Sequence, residues 1–251
     1  MRRRTLVLAI SCLALFSTVE AKAEDAVFSL RGQNQILHLY GARGGIPAIV
    51  SSGDGGWHGL APHVAESLSS RGYFAVGVDS KAYLESFTTK GSHLTTAEVP
   101  KDYADIVAYA ARGSKSKPIL IGVSEGAGLS VLAATGKELQ PTISGVLALG
   151  LPDENELAWR TRDAIIWFTK KVPKEPTFRV TSVISAVSPV PLAVIHSTQD
   201  EFMSVEDEQK MFALAREPKK IWILPAKDHS FKDQRPALDQ TVIEALAWMQ
   251  K

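Results

Sequence analysis

The feature that most constrains this 251-residue sequence is a regular alternation of short apolar runs with stretches of helical spacing. Val, Ile and Leu fill the runs almost continuously, which is typical of strands buried on both faces of a parallel sheet. The runs are Ile46–Ser51, Phe74–Val78, Pro118–Val123, Ser144–Leu149, Pro191–His196 and Lys220–Leu224, preceded by a strand region at Val27–Leu39. The helical stretches are His63–Arg71, Ala97–Arg112, Glu125–Ala134, Val205–Arg216 and Ala237–Gln250. This alternation predicts an α/β fold with helices on both faces of the sheet.

In such a fold, right-handed crossovers bring the carboxyl ends of the parallel strands to one edge of the sheet. Ligands of open α/β sheets bind at that edge. Reactive residues that directly follow the predicted strands are therefore the candidates for a functional site.

The first 23 residues read as a targeting segment. Arginines at positions 2–4 precede an apolar run at Leu6–Phe16, and Ala21-Lys22-Ala23 fits the small-x-small rule for signal peptidase. We predict a signal peptide cleaved after Ala23 and a single domain over residues 24–251. A retained membrane anchor and a lipid on Cys12 are the alternatives.

Composition excludes several kinds of function. The 28 Lys and Arg nearly balance the 27 Asp and Glu, which gives no indication of a nucleic-acid partner. Cys12 is the single cysteine and lies in the predicted leader, so the mature domain has no disulfide, cysteine nucleophile or thiolate metal site. The sequence predicts no metal and no organic cofactor.

A candidate nucleophile lies between a predicted strand and a predicted helix. Gly122-Val123-Ser124-Glu125-Gly126 matches G-x-S-x-G in the strand–turn–helix context that a nucleophile elbow requires. Glycines two positions on either side of Ser124 remove side chains that would collide in that turn. The alternative is a glycine-rich turn with an idle serine.

A serine hydroxyl needs an adjacent base, and His229 follows the last predicted strand. His38, His63, His93 and His196 are less well placed along the chain, and a surface role for His229 stays open. Asp200 follows the strand Pro191–His196, which gives the order Ser, acid, His expected of this arrangement. Asp153 is the alternative acid, and Glu201 is a neighbour that could be mistaken for it.

Acyl transfer also needs donors for the oxyanion. One is expected to be the backbone N–H of Glu125, the residue after the serine. The glycine-rich stretch 52–57, Ser-Gly-Asp-Gly-Gly-Trp, directly follows a strand, and the N–H of Asp54 or Gly55 is the second candidate. An ordinary turn is the alternative for this loop. The Glu125 side chain is expected in solvent, or at the cavity mouth where it would attract a cation.

Residues Pro152–Pro189 exceed the usual length of a loop between two strands, so we predict an inserted lid. It contains Trp159, Trp167, Phe168 and Phe178 together with Arg160, Arg162, Lys170, Lys171, Lys174 and Arg179. Either its aromatic residues pack on the core, or they form an aromatic and basic wall over the site that suits an amphiphilic or anionic substrate. The predicted substrate contacts are Trp57, Trp159, Trp167 and Phe168.

Together these residues predict the α/β-hydrolase fold, with a mostly parallel central sheet, helices on both faces and an inserted lid. Three stretches carry a closer resemblance: Gly53-Asp-Gly-Gly-Trp57, Gly77-Val-Asp-Ser80 and Gly122-x-Ser-x-Gly126. They resemble the VirJ/AcvB-type bacterial virulence domain, a periplasmic branch of the α/β-hydrolases. The resemblance implies hydrolysis of aminoacyl esters of phosphatidylglycerol, such as the lysyl lipid, and a link to virulence or type IV secretion.

Two classes of function follow. The first is an exported, periplasmic serine esterase with the triad Ser124, Asp200 and His229, acting through an acyl-enzyme on a small-molecule or lipid ester. A lipid ester would imply peripheral contact with membrane lipid. The second is a non-catalytic envelope binding or assembly factor that keeps the fold alone. A lipase or peptidase would share the site of the first. The sequence does not determine the oligomeric state.

Overall fold

The computed structural model describes residues 24–160 and 176–250. Ten strands lie in this part of the chain: β1 Glu24–Leu30, β2 Gln33–Tyr40, β3 Ile46–Ser51, β4 Tyr73–Val78, β5 Ile119–Val123, β6 Gly145–Leu149, β7 Glu154–Glu156, β8 Thr177–Arg179, β9 Leu192–Ser197 and β10 Lys219–Leu224. The α-helices there are α1 Leu60–Ser69, α2 Ser80–Phe87, α3 Val99–Ala110, α4 Glu125–Ala133, α5 Val180–Val183, α6 Val205–Ala213 and α7 Arg235–Met249.

Eight of the strands form one sheet in the order β1-β2-β4-β3-β5-β6-β9-β10. Within this sheet, all neighbouring strands from β4 through β3, β5, β6 and β9 to β10 pair in parallel. At the other end, β1 pairs antiparallel with β2, and β2 antiparallel with β4. The antiparallel hairpin at one edge is possible because β1 and β2 are joined by a two-residue turn at Arg31 and Gly32, both with positive φ. The predicted mostly parallel sheet is confirmed.

Alternating side chains of the strands enter two separate cores, one on each face of the sheet. In β3, Ile49 packs on one face while Ala48 and Val50 pack on the other. The Ile49 face is covered by α2 to α6 and the opposite face by α1 and α7. Because β3, β4, β5, β6, β9 and β10 are parallel, the loops that follow them share one edge of the sheet, where the predicted reactive residues lie.

The six predicted parallel strands lie within a residue of their predicted starts and ends. Helix α2 was not predicted, because its eight residues make only about two turns, too few to show a helical period in the sequence. Asp79 caps it by accepting a hydrogen bond from the N–H of Ala82 at 3.0 Å.

The described parts of the predicted lid pack against the domain. β7 and β8 form a small antiparallel pair. Trp159 and Phe178 are each only 6% exposed and belong to the core on the α2–α6 face. For these two aromatics the packing interpretation is therefore the right one. Trp167, Phe168 and the basic residues between positions 162 and 174 lie outside the described residues.

The predicted leader, residues 1–23, also lies outside the described residues, and its cleavage stays a prediction. Among the helices of the described chain, none has the length and apolar character needed to cross a bilayer.

Candidate active site

Ser124 lies in the sharp turn between β5 and α4. Its backbone has φ 52° and ψ −120°, a conformation that non-glycine residues rarely adopt. A Cβ atom on Gly122 would lie 2.1 Å from the carbonyl oxygen of Gly126, and one on Gly126 would lie 2.4 Å from that of Ser52. The two glycines are therefore required for the turn that places Ser124 at the edge of the sheet.

The side chains of His229 and Asp200 are joined by a hydrogen bond of 2.6 Å between Nδ1 and Oδ2. The side chain of Asp200 is fully buried, and its other oxygen accepts the N–H groups of Phe202 at 2.8 Å and Met203 at 3.2 Å. Burial alone would raise the pKa of Asp200, but the hydrogen bond and the charge of His229, with the N–H of Phe202, lower it. Asp200 is thus held as a carboxylate behind the imidazole.

The alternative acids have other partners. Asp153 binds Arg179 and accepts the N–H of Thr181 at 2.9 Å. Burial opposes the shift, yet these hydrogen bonds lower the pKa of Asp153. Glu201 does not contact the imidazole; its carboxylate accepts the backbone N–H of His229 at 2.8 Å, which fastens the histidine loop.

Ser124 and His229 line the same cavity, which has a volume of about 270 Å³. Within the described chain its walls are Gly53, Asp54, Gly55, Gly56, His58, Gly59, Leu60, Val123, Ser124, Phe202, His229 and Ser230. The Nε2 atom of His229 is buried and has no hydrogen-bond partner among the described residues. It is therefore available to accept a proton in this cavity.

The other histidines that we considered from the sequence lie elsewhere. His38 stacks on Trp57 with ring centroids 4.8 Å apart, and His63 pairs with Asp239 at 2.9 Å. His93 is exposed in a loop, and His196 is completely buried.

Gly150, which directly follows β6, lies against the imidazole and was missed by the sequence analysis. Its φ is +57°, and a Cβ atom there would come within 2.7 Å of Cε1 and 3.0 Å of Nδ1 of His229. A glycine at the end of a strand predicted to lie at the functional edge was the signal for this close approach.

The sequence analysis also missed Phe202 and His58. The Phe202 ring packs edge-on against the His229 ring at 4.9 Å, although Phe202 remains 53% exposed. His58 lines the cavity directly after the glycine-rich loop. Their positions, two residues after Asp200 and one after Trp57, were the available signals.

The predicted oxyanion donors lie around Ser124. Glu125 is the first residue of α4, where a backbone N–H has no acceptor within the helix and the helix dipole favours negative charge. Asp54 and Gly55 line the cavity, and a Cβ on Gly53 would lie 3.4 Å from that of Ser124. The glycine-rich loop therefore passes directly beside the serine.

Asp79 fixes the glycine-rich loop to the fold. Besides capping α2, its carboxylate accepts the backbone N–H of Trp57 at 3.2 Å. The next residue, Ser80, donates its N–H to the side chain of Ser52 at 3.0 Å. The Gly-Val-Asp-Ser stretch at the end of β4 thus holds the Gly-Asp-Gly-Gly-Trp stretch after β3 in place.

The Glu125 side chain corrects an expectation. It is 6% exposed, so it lies neither in solvent nor at the cavity mouth. Oε1 accepts the backbone N–H of Glu156 in β7 at 2.8 Å. Burial, followed by the negative charges of Glu156 and Asp54, raises the pKa of Glu125 well above its usual range. The side chain is buried because the segment that contains β7 covers the start of α4, and its hydrogen bond fixes β7 to this helix.

Two predicted substrate contacts also require correction. The Trp57 ring packs on Gly77, where a Cβ would lie 2.2 Å from it, and Nε1 donates to the Tyr40 hydroxyl at 3.2 Å. Trp159 is buried beneath the Lys81 ammonium group, 4.3 Å from its ring centre. Neither tryptophan lines the cavity beside Ser124, because both are used in packing. Trp167 and Phe168, the other two, lie outside the described residues.

Among the described residues, no cluster of His, Cys, Asp or Glu has the arrangement of a metal site.

Comparison with known proteins identifies the family. The family described as bacterial virulence protein (VirJ) matches residues 46–249. The chain belongs to this family. The predicted resemblance is therefore confirmed over most of the chain. The uncharacterized protein YfhR of Salmonella typhi is 44% identical over 46 residues, which cover 18% of this chain and only 16% of that relative.

Solved structures agree on the fold. The α/β hydrolase GrgF from Penicillium sp. sh18 is similar with a TM-score of 0.67 at 15% identity, covering 91% of this chain and 99% of that one. The esterase domain of a Rhodothermus marinus protein gives a TM-score of 0.60 at 18% identity, covering 88% and 96%. The VirJ-family chain has the α/β-hydrolase fold, as predicted.

Proposed function

We propose that this VirJ-family protein is a serine hydrolase that cleaves a carboxylic ester through an acyl-enzyme. The observation that carries the proposal is the cavity shared by the strained Ser124 and by His229, whose imidazole is bound to the buried Asp200. The fold likeness to an esterase domain supports the same reaction class.

In the proposed reaction, Ser124 Oγ attacks the ester carbonyl carbon while Nε2 of His229 takes the hydroxyl proton. The π electrons of the carbonyl move onto its oxygen. The resulting oxyanion is stabilised by the N–H of Glu125 and by that of Asp54 or Gly55. One such donor contributes about 3–4 kcal/mol to transition-state stabilisation. The imidazolium then protonates the leaving alcohol as the tetrahedral intermediate collapses to the acyl-enzyme. Water attacks the acyl carbonyl while Nε2 of His229 takes a proton from it, and the imidazolium returns this proton to Ser124 Oγ as the carboxylic acid is released.

For the substrate, we propose an aminoacyl ester of a phospholipid, reached by peripheral contact with a membrane. The family resemblance is the first support. The second is the chemistry of the cavity, because Asp54, the one acidic residue among its described walls, can attract an ammonium group beside the ester. The leader-like sequence of residues 1–23 supports export to the periplasm.

A panel of esters tests this proposal. Purified protein and the Ser124→Ala variant are incubated with lysyl-phosphatidylglycerol in vesicles, with phosphatidylglycerol alone and with short-chain p-nitrophenyl esters. We expect Ser124-dependent release of lysine. Hydrolysis of simple esters alone would refute the aminoacyl-lipid substrate, and no Ser124-dependent hydrolysis at all would favour the non-catalytic envelope factor.

A further inference from the structure

A second acid–histidine pair lies directly behind Asp200, and the reaction above does not use it. Glu208 of α6 and His196 of β9 both have fully buried side chains. Nδ1 of His196 is 3.5 Å from Oε2 of Glu208 and 4.0 Å from Oδ2 of Asp200. Nδ1 of His196 is therefore close to two buried carboxyl groups.

The hydrogen-bond partners of His196 determine its tautomer. Nε2 is 3.1 Å from the backbone carbonyl oxygen of Met203, which can only accept, so Nε2 carries a hydrogen. In the neutral ring Nδ1 then presents a lone pair. Neither Nδ1 nor either carboxyl oxygen of Glu208 has a hydrogen-bond partner among the described residues. One proton on Oε2 of Glu208, directed at Nδ1, would give a partner to Nδ1 and to Oε2.

The surrounding charges favour that proton. Burial, with the negative charges of Asp200 and Asp153, raises the pKa of Glu208 to about 8. Burial lowers the pKa of His196, although the charge of Asp200 and the hydrogen bond to Met203 oppose this shift. Ionising Glu208 at neutral pH would place a second buried carboxylate beside Asp200.

The nearby basic side chains bind other acids. Lys210 of α6 pairs with Glu206 and Asp207 on the surface, and Arg179 pairs with Asp153.

We propose that Glu208 is a positioning residue that keeps its proton at neutral pH and shares it with Nδ1 of His196, so that His196 holds the loop that carries Asp200. This role rests on the proposed function in one respect, namely that Asp200 is the acid of the triad. His196 binds the carbonyl of Met203, and Asp200 accepts the N–H groups of Phe202 and Met203, so the loop is fixed from both sides.

If Glu208 keeps its proton in the folded protein, stability must depend on pH. Below about pH 4.5, the usual pKa of glutamate, Glu208 is protonated in both folded and unfolded chains. Between pH 4.5 and about 8 the unfolded chain has released this proton while the folded protein retains it. The contribution of Glu208 to stability is therefore complete at low pH and is lost as pH rises through this window. A neutral residue in place of Glu208 does not titrate, so its variant does not lose this stability as pH rises.

Thermal unfolding of the wild type, Glu208→Gln and Glu206→Gln at pH 5.5 and pH 8.5 tests the proton. Glu206 lies in the same helix but is 78% exposed in its side chain, which makes it the matched control. We expect the Tm of Glu208→Gln to gain roughly 5 °C or more relative to wild type between the two pH values, with Glu206→Gln following wild type. The same Tm difference at both pH values would overturn the proposal. Glu208→Met, a second neutral variant, gives the same comparison if Glu208→Gln does not fold.

The positioning role is read from the rate at which a fluorophosphonate labels Ser124 at pH 7. The amide of Glu208→Gln can still donate to His196, so we expect labelling within about twofold of wild type. Glu208→Met cannot donate, and we expect at least a tenfold slower reaction. Equal rates in both variants would overturn the positioning role. If the wild type is not labelled at all, the proposed function fails, and the unfolding comparison alone then decides whether Glu208 carries the proton.

Discussion

The hydrogen bond between Asp200 and His229 determines which nitrogen of the imidazole is reactive. A carboxylate can only accept, so Nδ1 carries the hydrogen and Nε2 presents its lone pair. Nε2 has no hydrogen-bond partner among the described residues and belongs to a side chain that lines the cavity with Ser124. At the scale of single residues, the proposed chemistry depends on this orientation.

Replacing Asp200 by Asn is expected to lower kcat by about 10³–10⁴-fold, because an amide can donate to Nδ1 and favour the wrong tautomer. The matched control is Asp153→Asn, which changes the alternative acid that binds Arg179 instead. Ester hydrolysis by the two variants checks this. A larger loss of activity in Asp153→Asn would show that Asp153, and not Asp200, is the acid of the triad.

Gly150 tests the position of the imidazole. The Cβ of Gly150→Ala would lie 2.7 Å from Cε1 of His229, so the ring must move and we expect activity to fall at least tenfold. Gly113→Ala is the control for backbone strain alone, because Gly113 also has a positive φ, of +83°, but nothing lies within 4 Å of its Cβ position. Hydrolysis rates and Tm are measured for both. Similar activities in the two variants would contradict the close contact.

At the scale of elements, the site consists of loops that follow parallel strands and are fastened to one another. Ser124 follows β5, Asp200 follows β9 and His229 follows β10. Glu201 fastens the histidine loop to the acid loop, and Asp79 fastens the glycine-rich loop to α2. Loop contacts of this kind position the groups that the strands only bring near.

Asp79→Ala removes the cap of α2 and the acceptor for the N–H of Trp57. We expect a loss of about 2 kcal/mol in the free energy of unfolding and a roughly tenfold loss of activity, since the glycine-rich loop shifts beside Ser124. Asn at position 79 keeps an acceptor oxygen and serves as the control. Denaturant unfolding and ester hydrolysis measure the two effects. Unchanged activity in Asp79→Ala would show that the loop does not depend on this carboxylate.

At the scale of the whole molecule, the sequence predicted the sheet well because its strands are buried on both faces and read as continuous apolar runs. Ser124, Asp200 and His229 followed from their positions after those strands. The contacts of Gly150 and Phe202 with the imidazole were missed, because their positions after predicted strands indicate only that they lie near the functional edge, whereas the contacts themselves depend on tertiary packing. The prediction that Trp57 contacts the substrate was wrong for the same reason. Its neighbours in sequence lie beside the site, but its ring packs on Gly77.

The central claim is that Ser124 is a nucleophile activated by His229, and covalent labelling tests it most directly. The wild type, Ser124→Ala, His229→Ala and the exposed-loop control His93→Ala are treated with a fluorophosphonate, and the adduct is located by peptide mass spectrometry. We predict one adduct on Ser124 in the wild type and in His93→Ala, none in Ser124→Ala, and at least 10³-fold slower labelling in His229→Ala. An unlabelled wild type, or a rate that does not depend on His229, would contradict the account.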